Sequence, residues 1–379
     1  MNFLRRLTTT RLLALCAAAV LVIAGGVAIA SAALGGGASK PPKRPLAVAV
    51  HDAIAAPQVS GISARVTFTN HLVDSSSLPT SSPLLNGAKG RVWLSPGHGF
   101  RLELQSDRGD AQLVLNGRDF LLFDGTNNTA YRGTLPQHQG KPEPGRTESA
   151  PTLAQVQQGI ARLATHVLIG GPTPGTIAGR PAYTVKLSPR QHGGLLGALQ
   201  VGWDAAHGVP LQVAVFARGN SSPVLSLTAT DISYGSVPAS TFAITPPHGA
   251  HVTDLTPHAD QSGPPAAPSL GFKVSAPATL AGRPRDHVQT IGSGADTGAL
   301  ATYGTGLDGL LVIERPAANA GKAPAHALGN LPQLSINGSS GSELVTALGT
   351  AVTFERGGVS YTVLGSVTKG VAEAAARGL

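Results

Sequence analysis

Cysteine is almost missing from this chain. Cys16 is the only one and lies inside an apolar run, so the body of the protein can form no disulfide and must be stabilised by core burial. Enzyme signatures are missing as well. No Gly-x-Ser-x-Gly elbow, P-loop, His-Glu-x-x-His or cysteine cluster occurs, and the 12 histidines are scattered without metal-ligand spacing. The sequence therefore offers no catalytic residue, no metal site and no cofactor. His51, His248 and His251 read as solvated surface residues. Asp107 and Asp110, beside Arg108 and Gly109, read as turn residues rather than an acid-base pair. A concentrated positive charge is lacking too. The formal charge is +8, but Arg5, Arg6, Arg11, Lys40, Lys43 and Arg44 all precede the first acidic residue, Asp52, which leaves +2 for everything after them. The remaining basic residues are mixed with acids rather than clustered with aromatics, so no nucleic-acid partner is expected.

What the chain does have begins at its N-terminus. Arg5, Arg6 and Arg11 precede an uncharged apolar run of 23 residues, Leu12 to Leu34. That is about the length needed to span a hydrocarbon core, and longer than the roughly 7 to 15 apolar residues of a cleaved signal. Length favours an uncleaved anchor. Gly25 and Gly26, with small-residue sites at Ala28-Ile29-Ala30 and Ala30-Ser31-Ala32, favour cleavage, and residues 1–34 stay open between signal peptide and transmembrane anchor. Leu15 ahead of Cys16 does not suit a lipidated cysteine, and the neighbours of Arg5-Arg6 do not suit twin-arginine export. In either case the arginines stay cytoplasmic, and the rest lies at the extracytoplasmic face of the membrane, anchored through residues 12–34 or secreted. Lys40, Lys43 and Arg44 then sit in a tether near the membrane, where anionic headgroups are one conceivable partner.

Punctuation divides the remainder. Residues 35–45 form a Gly, Pro and Lys rich tether, and 256–271 a Pro-rich linker, separating a domain over 46–255 from a small one over 272–379. Leu46, Val50 and Ile54 recur at helical spacing and stop at Pro57. The period then becomes two, with Ile62, Ala64, Val66 and Phe68 alternating against Arg65, Thr67 and Thr69. Further strands are expected at Arg91 to Ser95, Phe100 to Gln105, Ala111 to Asn116, Asp119 to Asp124 and Ala130 to Leu135, joined by Gly, Asn and Asp turns. Leu153, Val156, Ile160, Leu163 and Val167 form one helical stripe, predicting a helix from Leu153 to Leu168. Strands are predicted again over 176–188, 198–204, 209–217, 223–234 and 241–244. Two helices cannot cover both faces of so long a meander, so the sheet must curve around its own apolar face. In the small domain, strands are expected at Ala299 to Gly304, Gly309 to Arg315, Leu334 to Asn337, Ser342 to Leu344, Ala351 to Arg356 and Val359 to Gly365, before an alanine-rich helix from Val371 to Arg377.

Trp203-Asp204 followed by Gly208-Val209-Pro210, then Ser226 to Tyr234, then Phe242, Pro246, Pro247, Gly249, Ala250 and Val252, resemble the second half of LolA-like proteins. Gly179 to Tyr183 ahead of the Trp-Asp pair, and the helix before the first strand, fit the same order. That superfamily includes periplasmic lipoprotein carriers, mycobacterial lipoproteins and envelope-stress sensor domains. Leu348 to Glu355 with Val359 to Gly365 is similar, less closely, to the C-terminal domain of the stress sensors.

The resemblance implies a mainly β, α+β fold: an open, curved antiparallel half-barrel with a helix lid, followed by a small C-terminal α+β domain. It also implies an apolar cavity that accepts acyl chains of a lipid or an acylated protein. Residues on one alternating face, Val66, Phe68, Leu102, Leu104, Leu113 and Leu115, with Trp93 near an edge, are the candidate lining; the alternative is that they fill a core. Trp203 is expected to pack on the sheet, with Asp204 starting the turn that ends at Gly208 and Pro210. The implied function is lipid or lipoprotein binding; the alternative is an envelope-stress sensor that binds a membrane-bound regulatory protein.

Overall fold

The computed structural model describes residues 39–73, 83, 87–97, 99–107, 109–126, 128–135, 151–190, 194–254, 270–291, 297–318 and 331–379. The apolar run 12–34 and residues 256–269 of the expected linker lie outside the described residues. Among the described residues, no helix is long and apolar enough to cross a membrane.

Helix α1 spans Leu46–Ile54. Six strands follow: β1 Ile62–Asn70, β2 Ala88–Ser95, β3 Gly99–Ser106, β4 Gly109–Asn116, β5 Asp119–Asp124 and β6 Thr129–Thr134. Helix α2, Leu153–Leu163, opens on a capping box: Gln155 N donates to Thr152 Oγ1 at 3.3 Å and Thr152 N donates to Gln155 Oε1 at 2.8 Å. Then come β7 Val167–Ile177, β8 Arg180–Pro189, β9 Leu196–Asp204, β10 Pro210–Ala217, β11 Leu225–Tyr234 and β12 His251–Asp254.

These strands form one sheet in the order β12-β6-β5-β4-β3-β2-β1-β11-β10-β9-β8-β7. Every pairing is antiparallel except β12 on β6. The edges, β12 and β7, are different strands, so the sheet is open rather than closed into a barrel. Leu46, Ala49, Val50 and Ala53 of α1 pack over Tyr183, Val185 and Trp203 at one end of it. On the opposite face, Ile244 and Ala250 pack over Val114, Leu121 and Ala130 as the chain passes toward β12.

A second sheet contains β13 Thr279–Leu280, β14 Arg283–Ile291, β15 Gly298–Tyr303, β16 Leu310–Pro316, β17 Gln333–Ile336, β18 Ser339–Thr346, β19 Gly349–Arg356 and β20 Val359–Gly365. Its order is β13-β14-β15-β16-β20-β19-β18-β17. Helix α3, Lys369–Arg377, packs Ala372, Ala375 and Ala376 into a core with Leu280, Tyr303, Val312, Val352 and Phe354. Among the described residues, hydrogen bonds link the parts of the chain that carry the two sheets: Leu195 N donates to Ser366 Oγ at 3.0 Å and to Ser366 O at 3.2 Å, and Ala347 N donates to Leu72 O at 2.8 Å.

Several sequence expectations are corrected. The helix expected to reach Leu168 stops at Leu163, and Val167 and Leu168 begin β7. Gly170, Gly171, Pro172 and Pro174 cannot continue a helix, and the stripe formed by Val167 is coincidental. The single strand predicted over 176–188 is the end of β7, a tight turn, and β8. Ala178 and Gly179 take φ angles of 51° and 69°, the two left-handed positions that a two-residue hairpin turn needs. The strand predicted over 241–244 is instead a short 3-10 turn, Ala239–Phe242, which buries Phe242 completely. Strands β12, β13 and β14 were not predicted at all.

Candidate functional site

Register makes one face of the first sheet apolar over five adjacent strands. Ala64, Val92, Leu102, Leu113 and Leu122 stand directly opposite one another from β1 to β5. To one side runs the row Ile62, Leu94, Phe100, Leu115 and Phe120; to the other, Val66, Gly90, Leu104 and Ala111. Phe68 continues the face at the end of β1, opposite Leu227 of β11. The flanking rows hold buried side chains: Ile62, Phe100 and Leu115 on one side, Val66, Leu104 and Ala111 on the other. The middle row does not. All five of its residues are half-buried, and so is Phe68.

Six of the seven candidate lining residues therefore share one face, divided between buried (Val66, Leu104, Leu115) and half-open (Phe68, Leu102, Leu113). Trp93 does not join them. It stands opposite Ser63 and Arg101, on the other face of the sheet. Both Val92 and Trp93 are apolar, so alternation within β2 alone cannot say which points with Leu102, whereas the register does.

That other face is polar around β1 to β3. A cavity of about 540 Å³ opens there, lined by Arg65, Val66, Thr67, Lys89, Gly90, Arg91, Glu103, Gln105 and Thr230. Arg65 and Arg91 are direct cross-strand partners, as are Thr67 and Lys89. Sequence reasoning passed over these cations as scattered surface charge. Their strict alternation with Val66, Gly90 and Val92 was the available signal.

The Trp-Asp segment is built as the sequence suggested. Asp204 is 1% exposed, and its Oδ1 accepts from Ala206 N at 2.7 Å and His207 N at 3.0 Å, while Gly208 N closes the turn onto Asp204 O at 2.9 Å. Tyr234 of β11 donates to Asp204 Oδ2 at 2.7 Å. Burial pushes the Tyr234 phenol well above its usual range, and the bond to Asp204 adds to the rise. Trp203 packs against Tyr183 with ring centroids 6.1 Å apart, under α1. This cluster is structural: it fixes a turn and holds the helix.

A second buried acid lies elsewhere. Glu314 of β16 is 0% exposed; its Oε2 accepts from Ser275 N at 2.8 Å, and its Oε1 has no hydrogen-bond partner. Burial raises its carboxyl above the usual range, partly opposed by the Ser275 bond. Among the described residues, no group of His, Cys, Asp and Glu is placed to hold a metal ion.

No protein-family model matches the sequence, and no curated protein matches it. Solved structures do align. The complex of Pseudomonas aeruginosa MucA/MucB is matched at 16% identity over 87% of this chain and 94% of that one, with a TM-score of 0.41. LolA superfamily protein NE2245 from Nitrosomonas europaea is matched at 11% identity over 52% of this chain and 97% of that one, with a TM-score of 0.22. A putative outer membrane lipoprotein-sorting protein domain from Vibrio parahaemolyticus is matched at 10% identity over 52% and 95%, with a TM-score of 0.20.

Proposed function

We propose that the protein works at the extracytoplasmic face of the cell membrane and binds an acyl chain, of a lipid or an acylated protein, along the apolar face of its first sheet. The observation that carries this reading is the middle row Ala64, Val92, Leu102, Leu113 and Leu122, half-open between two rows whose side chains are largely buried. Five strands at the usual spacing give it a length of about 19 Å. An extended chain laid along it would leave water at roughly 0.8 kcal/mol per methylene. Such a reading needs no catalytic group and assigns none.

The second reading, a sensor that binds a membrane-bound regulatory protein, is the one left if no acyl chain binds.

Native mass spectrometry of the protein, purified without detergent from a membrane-containing host, tests the first reading. A stoichiometric added mass matching a phospholipid or an acylated molecule is expected. Apo protein that also fails to take up a fluorescent fatty-acid probe would sink it and leave the partner-binding reading.

A further inference from the structure

The polar cavity on the opposite face carries a chemistry of its own. Arg65 and Arg91 are direct partners across β1 and β2, and like charges so placed destabilise a sheet unless something offsets them. Lys89 stands two residues along the same face of β2 and faces the cavity with them. Among the described residues, none of these three cations forms an ion pair. Two carboxylates lie near. Glu103, opposite Arg91, is taken by Arg101, whose Nε donates to Glu103 Oε1 at 2.7 Å. Asp231 is opposite Arg65 on β11 and exposed, with no ion pair formed.

The backbone is shaped at the same place. The β1–β11 register shifts between Arg65 and Val66, and the extra residue, Thr230, turns into the cavity with its hydroxyl donating to Arg65 O at 3.3 Å. Bulges of this kind re-aim side chains and recur beside functional sites. The cavity therefore brings together two guanidinium forks and an ammonium, with the Thr67 hydroxyl and the Gln105 amide at its wall, against one carboxylate, Glu103, that Arg101 engages from outside the cavity lining. So many donors exceed what the two oxygens of a carboxylate can use. They suit a tetrahedral oxyanion, which arginine forks bind in bidentate fashion.

We propose that this cavity is a binding site for a phosphate-type oxyanion, held chiefly by Arg65 and Arg91 with Lys89. It lies on the face opposite the apolar row, so it stands or falls separately from the acyl-chain reading. The phosphoryl group could belong to a soluble phosphate ester or to an anionic lipid headgroup, and both offer the same chemistry.

The test is calorimetric titration of the full-length protein with inorganic phosphate, with glycerol phosphate, and with vesicles of phosphatidylglycerol against phosphatidylcholine. Saturable one-to-one binding of phosphate is expected, weakened at least tenfold in the Arg65→Gln/Arg91→Gln variant. It should be unchanged in Arg162→Gln/Arg218→Gln, which removes the same charge from exposed positions elsewhere. Binding of glycerol phosphate without vesicles assigns the site to soluble esters; additional binding of phosphatidylglycerol vesicles that depends on the same arginines assigns it to a headgroup. If the double variant misfolds, Arg91→Lys keeps the charge, removes the fork, and should still weaken phosphate several-fold. Phosphate binding that is absent, or equal in the wild type and both arginine variants, overturns the proposal, as does an acidic peptide that binds there while phosphate does not.

Discussion

Tyr234, at the end of β11, donates its hydroxyl to Oδ2 of Asp204 at 2.7 Å, joining β11 to the turn that follows β9 across a strand that pairs with both. The same carboxylate caps two backbone amides, so one side chain satisfies three donors. Tyr234→Phe should cost about 2 kcal/mol, the worth of a hydrogen bond to a charged group, and Asp204→Ala should cost more because it strands all three donors. Urea unfolding followed by tryptophan fluorescence measures this, since both tryptophans, Trp93 and Trp203, lie in the first sheet. Equal midpoints for the wild type and Tyr234→Phe would deny the bond any structural weight.

Gly208 closes that turn at φ 64°, and a Cβ there would overlap the Ala53 carbonyl of α1. Gly208→Ala should therefore combine a left-handed backbone penalty with a steric clash, costing about 2 kcal/mol or more. Because the clash falls on the helix, amide exchange in α1 should accelerate before exchange in β9 and β10. Uniform acceleration would place the damage elsewhere.

The half-open row and its buried neighbours should respond differently to substitution. Leu104, 2% exposed, belongs to the core, and Leu104→Ala should destabilise by about 2–5 kcal/mol. Leu113 is half-buried, and Leu113→Gln should leave most of the stability intact while reducing fatty-acid probe uptake about tenfold. A Leu113→Gln variant that unfolds like Leu104→Ala would mean that the row is core rather than a binding surface.

Glu314 gives the second sheet a pH dependence whose sign is fixed by its environment. Burial raises the carboxyl, so the folded state keeps its proton to higher pH than the unfolded state does. Stability should thus be greatest at and below the ordinary carboxylate range and fall as pH rises through the raised folded value. Glu314→Gln keeps an acceptor for Ser275 N and removes the charge, so it should raise stability at neutral pH and flatten this slope. Urea midpoints by far-ultraviolet circular dichroism across mildly acidic to neutral pH will show whether wild type and variant differ in that way.

Much of this fold could be read in the residues. Alternation in β1 and β3 to β5, with glycine-rich turns between, defined the meander and put Val66, Phe68, Leu102, Leu104, Leu113 and Leu115 on one face. What failed did so where local pattern was ambiguous or tertiary contact decided. Val167 happened to complete a helical stripe but pairs with Pro189 in a hairpin. Trp93 follows an apolar neighbour, so only pairing with Arg101 assigns its face. His251 to Asp254 form a strand because they find β6, a partner more than a hundred residues earlier. Neither the half-open row nor the Arg65–Arg91 pair was visible either, since both are properties of register across strands.

The position of β1 in the middle of its sheet governs how such a chain can come to its native state. Ile62 pairs with Tyr234, so the strand made first among the twelve must wait for the eleventh before its second edge is filled. Pairings that distant are slow to form, because loop closure must precede any gain from contact. Until β11 arrives, the apolar rows of β1 to β5 are displayed on an incomplete sheet with an unpaired edge at its centre. A chain emerging N-terminus first is therefore most prone to misassociation before residue 234 has been delivered, and that hazard should fall once β11 pairs with β1.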